Sequence, residues 1–268
     1  MSIVRSLRIG VMAAAPALAA PGLAAEKIAD YVIDGQIHRG YFYYDERIDA
    51  ARPLVVLVPN WLGTTAANRR QAADIAGRDY VVFVADMFGK DAQPADAEAA
   101  SKAVRALYAD RPLLRKRIVA AKAAALAQAH TAKLPVDPTK VAAIGFCFGG
   151  ATVLELARTG EALAAVVSFH GNLSLPGEMP AAPIRTRILA LHGDADPYVP
   201  AEQVEAFTAE MRASAADWQL VRFGGAVHSF TDPEANRPGQ AMYDAKIARR
   251  AFAMMRDFLA EAFAQAAH

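Results

Sequence analysis

Short, wholly apolar runs alternate along the chain with longer stretches in which apolar residues recur every three or four positions. The short runs are typical of strands buried on both faces, and the periodic stretches are typical of amphipathic helices. Their alternation from residue 54 onward predicts an α/β protein with a mostly parallel sheet and helices on both faces. The predicted buried strands cover residues 54–58, 80–85, 141–145, 164–169, 188–191 and 219–223. The predicted helices cover residues 66–77, 95–108, 113–132, 204–211 and 241–264, and a further helix begins at residue 152.

The N-terminal part has a different pattern. Two β-rich runs, residues 28–33 and 37–44, flank Asp34-Gly35, a two-residue turn signal, so this part is predicted to form a β-hairpin. No repeat or linker follows residue 25, and residues 26–268 are therefore expected to form a single α/β domain. A chain of 268 residues is long enough to bury one extensive core without disulfides.

Residues 1–25 have the features of an export signal. Arg5 and Arg8 precede an Ala-rich apolar run that is too short to span a bilayer, and small residues suited to a signal peptidase follow it. We expect a cleaved signal peptide and a periplasmic or secreted protein with no membrane attachment after cleavage. The alternative is an Ala-rich N-terminal helix of a cytoplasmic protein. Because Cys147 is the only cysteine, no internal disulfide can form in either compartment.

Composition excludes several classes of partner. The net charge of +1 provides no electrostatic footprint for nucleic acid, so no nucleic-acid partner is expected. The sequence has no His-Glu-x-x-His motif and no Cys/His cluster, so we expect no metal and no other cofactor. His38 and His130 are expected to be exposed. The expected partner is a small molecule, and the sequence does not determine the oligomeric state.

A candidate nucleophile lies where the strand at 141–145 meets the helix that follows it. Cys147 is flanked by Gly145, Gly149 and Gly150, which matches the nucleophile elbow G-x-Nuc-x-G. The glycines allow a strained turn in which strand and helix backbones nearly touch, and the helix N-terminus favours a thiolate. The alternative is a strand-to-helix turn that contains an inert buried cysteine.

A thiol nucleophile requires a base, and the base requires an acid that fixes its tautomer. His228 follows the last predicted strand and Asp196 follows the preceding one, so the chain order is nucleophile, acid, base. His192 and Asp194 are the less favoured alternatives, because His192 ends a buried strand and Asp196 directly precedes a proline. His170, at another strand end, is expected to support the site or to line its pocket.

A tetrahedral intermediate requires hydrogen-bond donors for its oxyanion. The backbone N–H of Phe148, directly after the nucleophile, is one candidate, and the N–H of Trp61, after the first parallel strand, is the other. The expected pocket walls come from the side chains of Trp61, Met87, Phe88 and His170, and from residues between 176 and 187.

Three stretches resemble the dienelactone hydrolase (carboxymethylenebutenolidase-like) family. They are residues 145–150 around Cys147, the Asp196 loop that ends in Tyr-Val-Pro, and the Ala-Val-His-Ser-Phe stretch around His228. The resemblance covers about residues 27–263. It implies an α/β-hydrolase fold and a Cys147–His228–Asp196 triad that hydrolyses an ester or lactone through an acyl-cysteine.

Two positions depart from the pattern of that family. Lactonases that act on dienelactone typically carry a Glu where this chain has Asn60, and they carry an arginine shortly after the catalytic His, where this chain has Asp232. A neutral ester, lactone or thioester is therefore expected rather than dienelactone itself. The competing hypothesis is a non-catalytic exported binding protein on the same scaffold.

Overall fold

An eight-stranded sheet forms the centre of the protein in a computed structural model, which describes residues 24–175 and 183–266. The strands are β1 Ala25–Ile33, β2 Gln36–Tyr44, β3 Arg52–Val58, β4 Val81–Val84, β5 Val136–Phe146, β6 Ala165–Phe169, β7 Arg187–Gly193 and β8 Trp218–Phe223. Their order across the sheet is β1-β2-β4-β3-β5-β6-β7-β8. Strands β1 and β2 pair antiparallel, as do β2 and β4, and all the other pairs in this sheet are parallel. The predicted mostly parallel sheet is thus confirmed.

The predicted N-terminal hairpin is also present. Ile33 pairs with Gln36, and the two residues between them have positive φ, 50° at Asp34 and 78° at Gly35. Two positive φ values in a row fit the right-handed twist of the flanking strands, and Asp-Gly adopts them readily. The local sequence therefore determines this turn.

Helices cover both faces of the sheet because alternate residues of each buried strand point to opposite sides. The described helices are α1 Ala66–Ala76, α2 Ala97–Ala109, α3 Arg111–Thr131, α4 Phe148–Arg158, α5 Ala201–Ala213 and α6 Ala245–Gln265. Leu54 and Val56 contribute to one apolar cluster, with α2, α3, α4 and α5, whereas Val55 and Leu57 contribute to the other, with α1 and α6.

The predicted starts of two helices are wrong. Helix α4 begins at Phe148 rather than at residue 152, because it starts directly at the elbow, with Cys147 as its N-cap. Helix α6 begins at Ala245 rather than at residue 241, where Asp244 accepts a hydrogen bond from the N–H of Ile247 (2.9 Å). Residues before it form the short strands β9 Asn236–Arg237 and β10 Ala241–Met242.

His38 is not exposed but fully buried. Its ring stacks on Tyr31 (5.5 Å between centroids), and its Nδ1 lies 3.0 Å from the carbonyl oxygen of Asp86. His130 is exposed, as expected. Residue 38 lies on the face of β2 that the core covers. A polar side chain normally indicates the exposed face of a strand, so the sequence around His38 does not predict its burial.

Two predicted segments lie outside the described residues. The expected signal peptide occupies residues 1–25, of which 1–23 are not described, and β1 begins at Ala25. The expected pocket wall between residues 176 and 187 is described only from residue 183. Both stay predictions. Among the helices that the structure does describe, none is both long and apolar enough to cross a bilayer.

Candidate active site

The backbone between β5 and α4 turns sharply and holds Cys147 at φ 56° and ψ −116°. A Cβ atom on Gly145 would overlap the backbone of Gly149, and a Cβ atom on Gly149 would overlap the carbonyl oxygen of Val58 at the end of β3. The glycines are therefore required by close backbone contacts, as the elbow motif predicts. Cys147 also lies at the N-terminus of α4, where the helix dipole stabilises negative charge.

The structure brings the three predicted side chains together. His228 Nε2 lies 3.0 Å from Cys147 Sγ, and His228 Nδ1 lies 2.7 Å from Asp196 Oδ2. The Asp196 carboxylate is fully buried, and its other oxygen accepts a hydrogen bond from the N–H of Tyr198 (2.9 Å). A carboxylate at Nδ1 fixes the tautomer in which Nε2 faces the thiol.

These contacts favour the charged form of His228. Burial alone would lower the pKa of His228, but negative charge on Cys147 and the hydrogen-bonded Asp196 carboxylate raise it to about 10. A positively charged imidazole next to a cysteine is the arrangement that activates a cysteine nucleophile.

The loops that contain Asp196 and His228 are joined through their backbones. The N–H of Ala195 donates to the carbonyl oxygen of Ala226 (2.9 Å). A Cβ atom on Gly193, at the end of β7, would lie 2.7 Å from the Ala226 oxygen and 2.8 Å from the Val227 oxygen. The distance between acid and base therefore depends on a glycine that lets the two loops approach.

Both backbone groups predicted for the oxyanion are available. Within the described residues, neither the N–H of Trp61 nor that of Phe148 has a hydrogen-bond partner. Asn60 fixes the loop that carries Trp61, because its Oδ1 accepts from the N–H of Leu62 (3.1 Å) and from Asn68 Nδ2 (2.9 Å). The half-buried Trp61 side chain packs against the core.

His170 is a supporting residue with two polar contacts. Its Nδ1 accepts a hydrogen bond from the N–H of Cys147 (3.2 Å), which also donates to the carbonyl oxygen of Phe169 (3.0 Å). The Nε2 of His170 therefore carries the proton and donates to Thr231 Oγ1 (2.8 Å). Burial, and then the neighbouring charge of His228, hold the pKa of His170 well below its usual value. The ring is therefore neutral, and it contacts the nucleophile and the base loop at once.

The predicted pocket residues Met87 and Phe88 are almost completely buried, with 2% and 5% of their surface exposed. Phe88 stacks on Phe148 (5.6 Å between centroids). The prediction that these two side chains line the pocket is therefore wrong: both lie in the hydrophobic core, where Phe88 supports Phe148. The described residues also line a cavity of about 670 Å³ beside the triad, bordered by Asn60, His170 and Ser229 rather than by Cys147 or His228.

Sequence reasoning missed Tyr108, on the last turn of α2. Its ring packs against Phe148 (5.8 Å), and the guanidinium of Arg111 lies over it (4.7 Å). Burial, followed by the charge of Cys147, raises the pKa of its hydroxyl, so this hydroxyl keeps its proton. Tyr108 lies in an ordinary amphipathic helix, and no local signal distinguishes it from a core residue.

Arg111, whose guanidinium lies over Tyr108, also belongs to a buried cluster of ion pairs. The carboxylate of Glu155, which is completely buried, contacts Arg111 (3.1 Å), Arg115 (2.8 Å) and Arg158 (2.8 Å). Arg158 also pairs with Glu210 (2.7 Å). The basic run at the start of α3, which the sequence presents as a charged stretch, is thus partly directed into the protein.

No cluster of His, Cys, Asp and Glu in the part of the chain that the structure describes could hold a metal ion. A sequence profile of the dienelactone hydrolase family matches residues 39–263, which is most of the chain.

The chain belongs to the dienelactone hydrolase family.

Known proteins of similar sequence and structure agree with this assignment. A crystal structure of a dienelactone hydrolase-like promiscuous phosphotriesterase from metagenomic libraries is 40% identical, with a TM-score of 0.80, over 90% of this chain and 100% of that one. A structure named m3DLH is 34% identical, with a TM-score of 0.79, over 90% of this chain and 100% of that one. A Bradyrhizobium sp. protein named "Probable 2-oxo-3-(5-oxofuran-2-ylidene)propanoate lactonase" is 29% identical over 199 residues, which are 69% of this chain and 77% of that protein.

This dienelactone hydrolase family member is therefore a hydrolase of ester or lactone bonds, and its substrate is a small molecule. The predicted reaction class is confirmed, and the comparisons favour it over a non-catalytic binding protein. The predicted α/β-hydrolase-like fold is confirmed as well.

Proposed function

We propose that the protein hydrolyses a neutral carboxylic ester or lactone through an acyl-cysteine formed on Cys147. The observation that carries this proposal is the contact of 3.0 Å between Cys147 Sγ and His228 Nε2, with Asp196 at 2.7 Å from the other nitrogen. Sulfur, imidazole and carboxylate lie in the order that nucleophilic catalysis requires.

In the acylation step, the Cys147 thiolate attacks the carbonyl carbon and a new S–C bond forms. The carbonyl oxygen takes the negative charge, and the N–H groups of Trp61 and Phe148 stabilise it. The C–O bond to the alcohol then breaks, and His228 gives its proton to the departing oxygen. The products of this step are an alcohol, a thioester on Cys147 and a neutral imidazole.

In the deacylation step, the neutral His228 takes a proton from water while the water oxygen attacks the thioester carbon. The S–C bond breaks, a carboxylic acid leaves, and the thiolate–imidazolium pair is restored. The charge on Cys147 is the largest of the effects that raise the pKa of His228. Because the thioester has no such charge, the imidazole that acylation leaves behind stays neutral in the acyl-enzyme and can act as a base.

A neutral substrate fits the residues beside the thiol. The Asn60 amide, rather than a carboxylate, borders the neighbouring cavity, and Asp232 lies at the same cavity with its carboxylate bound to the N–H of Glu234 (2.9 Å). The charged side chains at this cavity are of both signs, so the cavity has no net charge that would favour a substrate carboxylate. The basic ones are Arg70, Arg249 and Arg256, and the acidic ones are Asp74, Asp232 and Glu234. The substrate class we propose is therefore an uncharged ester, lactone or thioester.

The test is the turnover of short-chain p-nitrophenyl esters and simple lactones by the wild-type protein and by Cys147→Ala. We expect the variant to lose at least about 10³-fold in kcat/KM, because no other side chain replaces the nucleophile. Intact-mass measurement of the wild type, quenched during turnover, should find one acyl group on Cys147. Undiminished turnover by the variant would rule out the proposal.

A second candidate activity is the hydrolysis of phosphotriesters. It is favoured by the 40% identity to a promiscuous phosphotriesterase across 90% of the chain. The Cys147 thiolate would attack the neutral phosphorus, an S–P bond would form, and the P–O bond to the phenolate would break. Water, deprotonated by His228, would then cleave the S–P bond and release a phosphodiester. Diethyl p-nitrophenyl phosphate is the probe, and release of p-nitrophenol by the wild type but not by Cys147→Ala would support this activity. No release by either protein would exclude it.

We also propose that the protein is exported and loses about 25 N-terminal residues. The support is the pair Arg5 and Arg8 before an Ala-rich run with small residues at its end. N-terminal sequencing of the protein from its natural host tests this directly, and a mature chain that still begins at Met1 would contradict it.

A further inference from the structure

Two rings pack against the imidazole of His228. The ring of His170 lies 5.2 Å away at an interplanar angle of 66°, and the ring of Tyr198 lies 5.2 Å away at 84°. His170 is buried, with 2% of its surface exposed, whereas Tyr198 is 44% exposed. The His228 imidazole therefore contacts one ring on its interior side and one on its solvent side. Its two polar contacts, with Cys147 and Asp196, come in addition to these.

The interior ring cannot move independently of the site. His170 accepts from the N–H of Cys147 and donates to Thr231 Oγ1, and Thr231 is itself 2% exposed. Both nitrogens of His170 are therefore bonded, and its ring orientation is fixed by two groups that belong to the nucleophile elbow and to the base loop.

The outer ring is fixed by a short segment, residues 236–242, which we name the strap. The hydroxyl of Tyr198 donates to Gln240 Oε1 (3.3 Å) and accepts from Arg237 Nη2 (3.3 Å). The same strap also holds the backbone of His228. The N–H of His228 donates to the backbone carbonyl oxygen of Gln240 (3.1 Å), and the N–H of Met242 donates to the backbone carbonyl oxygen of His228 (3.0 Å). The strap therefore fixes both the base and one of the rings that contact it.

The need for these rings changes during the proposed reaction. In the resting enzyme, Nε2 is held by its contact with the Cys147 thiolate and Nδ1 by Asp196. In an acyl-enzyme the sulfur is part of a neutral thioester, so the charge that attracted Nε2 is gone. The hydrogen bond from Nδ1 to Asp196 is then the remaining polar contact. A single hydrogen bond does not fix the orientation of the His228 ring, so Nε2 can rotate away from the acyl group.

We propose that His170 and Tyr198 are positioning residues that act mainly in deacylation, by keeping Nε2 of His228 directed at the acyl carbon once its contact with the thiolate is lost. This inference rests on the proposed function, because it assumes an acyl-cysteine. It predicts that removal of either ring slows deacylation more than acylation.

Three variants separate the ring from the rest of each side chain. His170→Asn removes the ring, but its Oδ1 can still accept from the N–H of Cys147, and asparagine tolerates the φ of 39° at this position. Tyr198→Leu removes the outer ring at a half-exposed site, and Tyr198→Phe keeps the ring but loses both hydroxyl contacts. Tyr41→Leu is the matched control, because Tyr41 is half-buried and lies in β2, near the edge of the sheet opposite to β7 and β8.

The experiment is stopped-flow hydrolysis of p-nitrophenyl butyrate, in which the burst reports acylation and the steady state reports deacylation. We expect acylation within about 3-fold of wild type and deacylation slower by at least about 10-fold for His170→Asn and Tyr198→Leu, because misplacement of a base by about 1 Å costs up to 100-fold. KM should fall together with kcat, and intact mass should show more acyl-enzyme. Tyr198→Phe should have a smaller effect, and Tyr41→Leu should have none on the ratio of the two steps.

The rate of alkylation of Cys147 by iodoacetamide checks that the elbow is intact in each variant, and Tyr198→Leu provides the test if His170→Asn does not fold. Equal slowing of both steps, or a wild-type ratio in both ring variants, would overturn this inference while leaving the acyl-cysteine mechanism in place. A wild-type protein that turns over the ester without an acyl group on Cys147 would overturn the proposed function, and this inference with it.

Discussion

A methyl group added at Gly193 should increase the distance between Asp196 and His228. Gly193 ends β7, three residues before Asp196, and a Cβ atom added there would lie 2.7 Å from the carbonyl oxygen of Ala226 and 2.8 Å from that of Val227. Both atoms belong to the backbone that leads directly into His228. Neither can rotate away as the end of a flexible side chain could.

The size of the effect follows from these distances. Ordinary contacts of a Cβ atom begin at 3.4 Å, so in Gly193→Ala the loop before His228 must move by about 0.7 Å, which typically costs about 1–3 kcal/mol of folding free energy. The contacts of 2.7 Å to Asp196 and 3.0 Å to Cys147 cannot both survive this shift. We expect kcat/KM to fall by about 10- to 100-fold, the usual cost of misplacing catalytic groups by up to 1 Å.

Gly224→Ala is a matched control in the loop that leads to His228, because a Cβ atom there meets nothing within 4 Å. The two variants are compared by p-nitrophenyl ester hydrolysis and by urea unfolding. We expect Gly224→Ala to keep wild-type activity and stability to within about 0.5 kcal/mol. If Gly193→Ala behaves like Gly224→Ala in both measurements, the argument that backbone contact sets the distance between acid and base is refuted.

Three further predictions concern charge. The pKa of His228 is raised to about 10, so its imidazolium persists above neutral pH. If this imidazolium donates the proton in acylation, as we propose, burst rates should fall only as the pH rises through about 10. A fall at about pH 6.5, the ordinary pKa of histidine, would contradict this. Asp196→Asn removes the acceptor at Nδ1 and should lower kcat by about 10³- to 10⁴-fold, measured with p-nitrophenyl esters; a loss below about 10-fold would contradict it. Glu155→Ala leaves the buried Arg158 with less compensation and should cost about 3–5 kcal/mol in urea unfolding, whereas the exposed Glu46→Ala should change stability little; similar values for the two would refute this.

The sequence predicts those parts of the site that depend on local backbone geometry. The elbow around Cys147 requires glycines at fixed spacing, and Asp196 and His228 follow buried strands whose apolar runs are easily recognised. Because parallel strands end at one edge of a sheet, the order of these residues along the chain was sufficient to expect them to meet.

The parts that could not be predicted depend on contacts between distant residues. The strap contains two-residue strands, which are too short for any hydrophobic pattern, and the helix that the sequence predicts from residue 241 wrongly includes its last two residues. The hydroxyl contact between Tyr198 and Gln240 spans 42 residues, and that between His170 and Thr231 spans 61. Nothing in the local sequence around Tyr198 or Thr231 indicates such a partner.

Five neighbouring strands, β3, β5, β6, β7 and β8, each present one part of the site at the same edge of the sheet. In that order they supply the Trp61 amide, the Cys147 thiol, the His170 ring, the Asp196 carboxylate and the His228 imidazole. Each part lies on its own loop, so evolution can lengthen or recompose one loop without altering the strand register that spaces the others. Asn60 and Asp232 lie on two of these loops, so a substitution at either position can alter the border of the neighbouring cavity while the triad distances stay as they are.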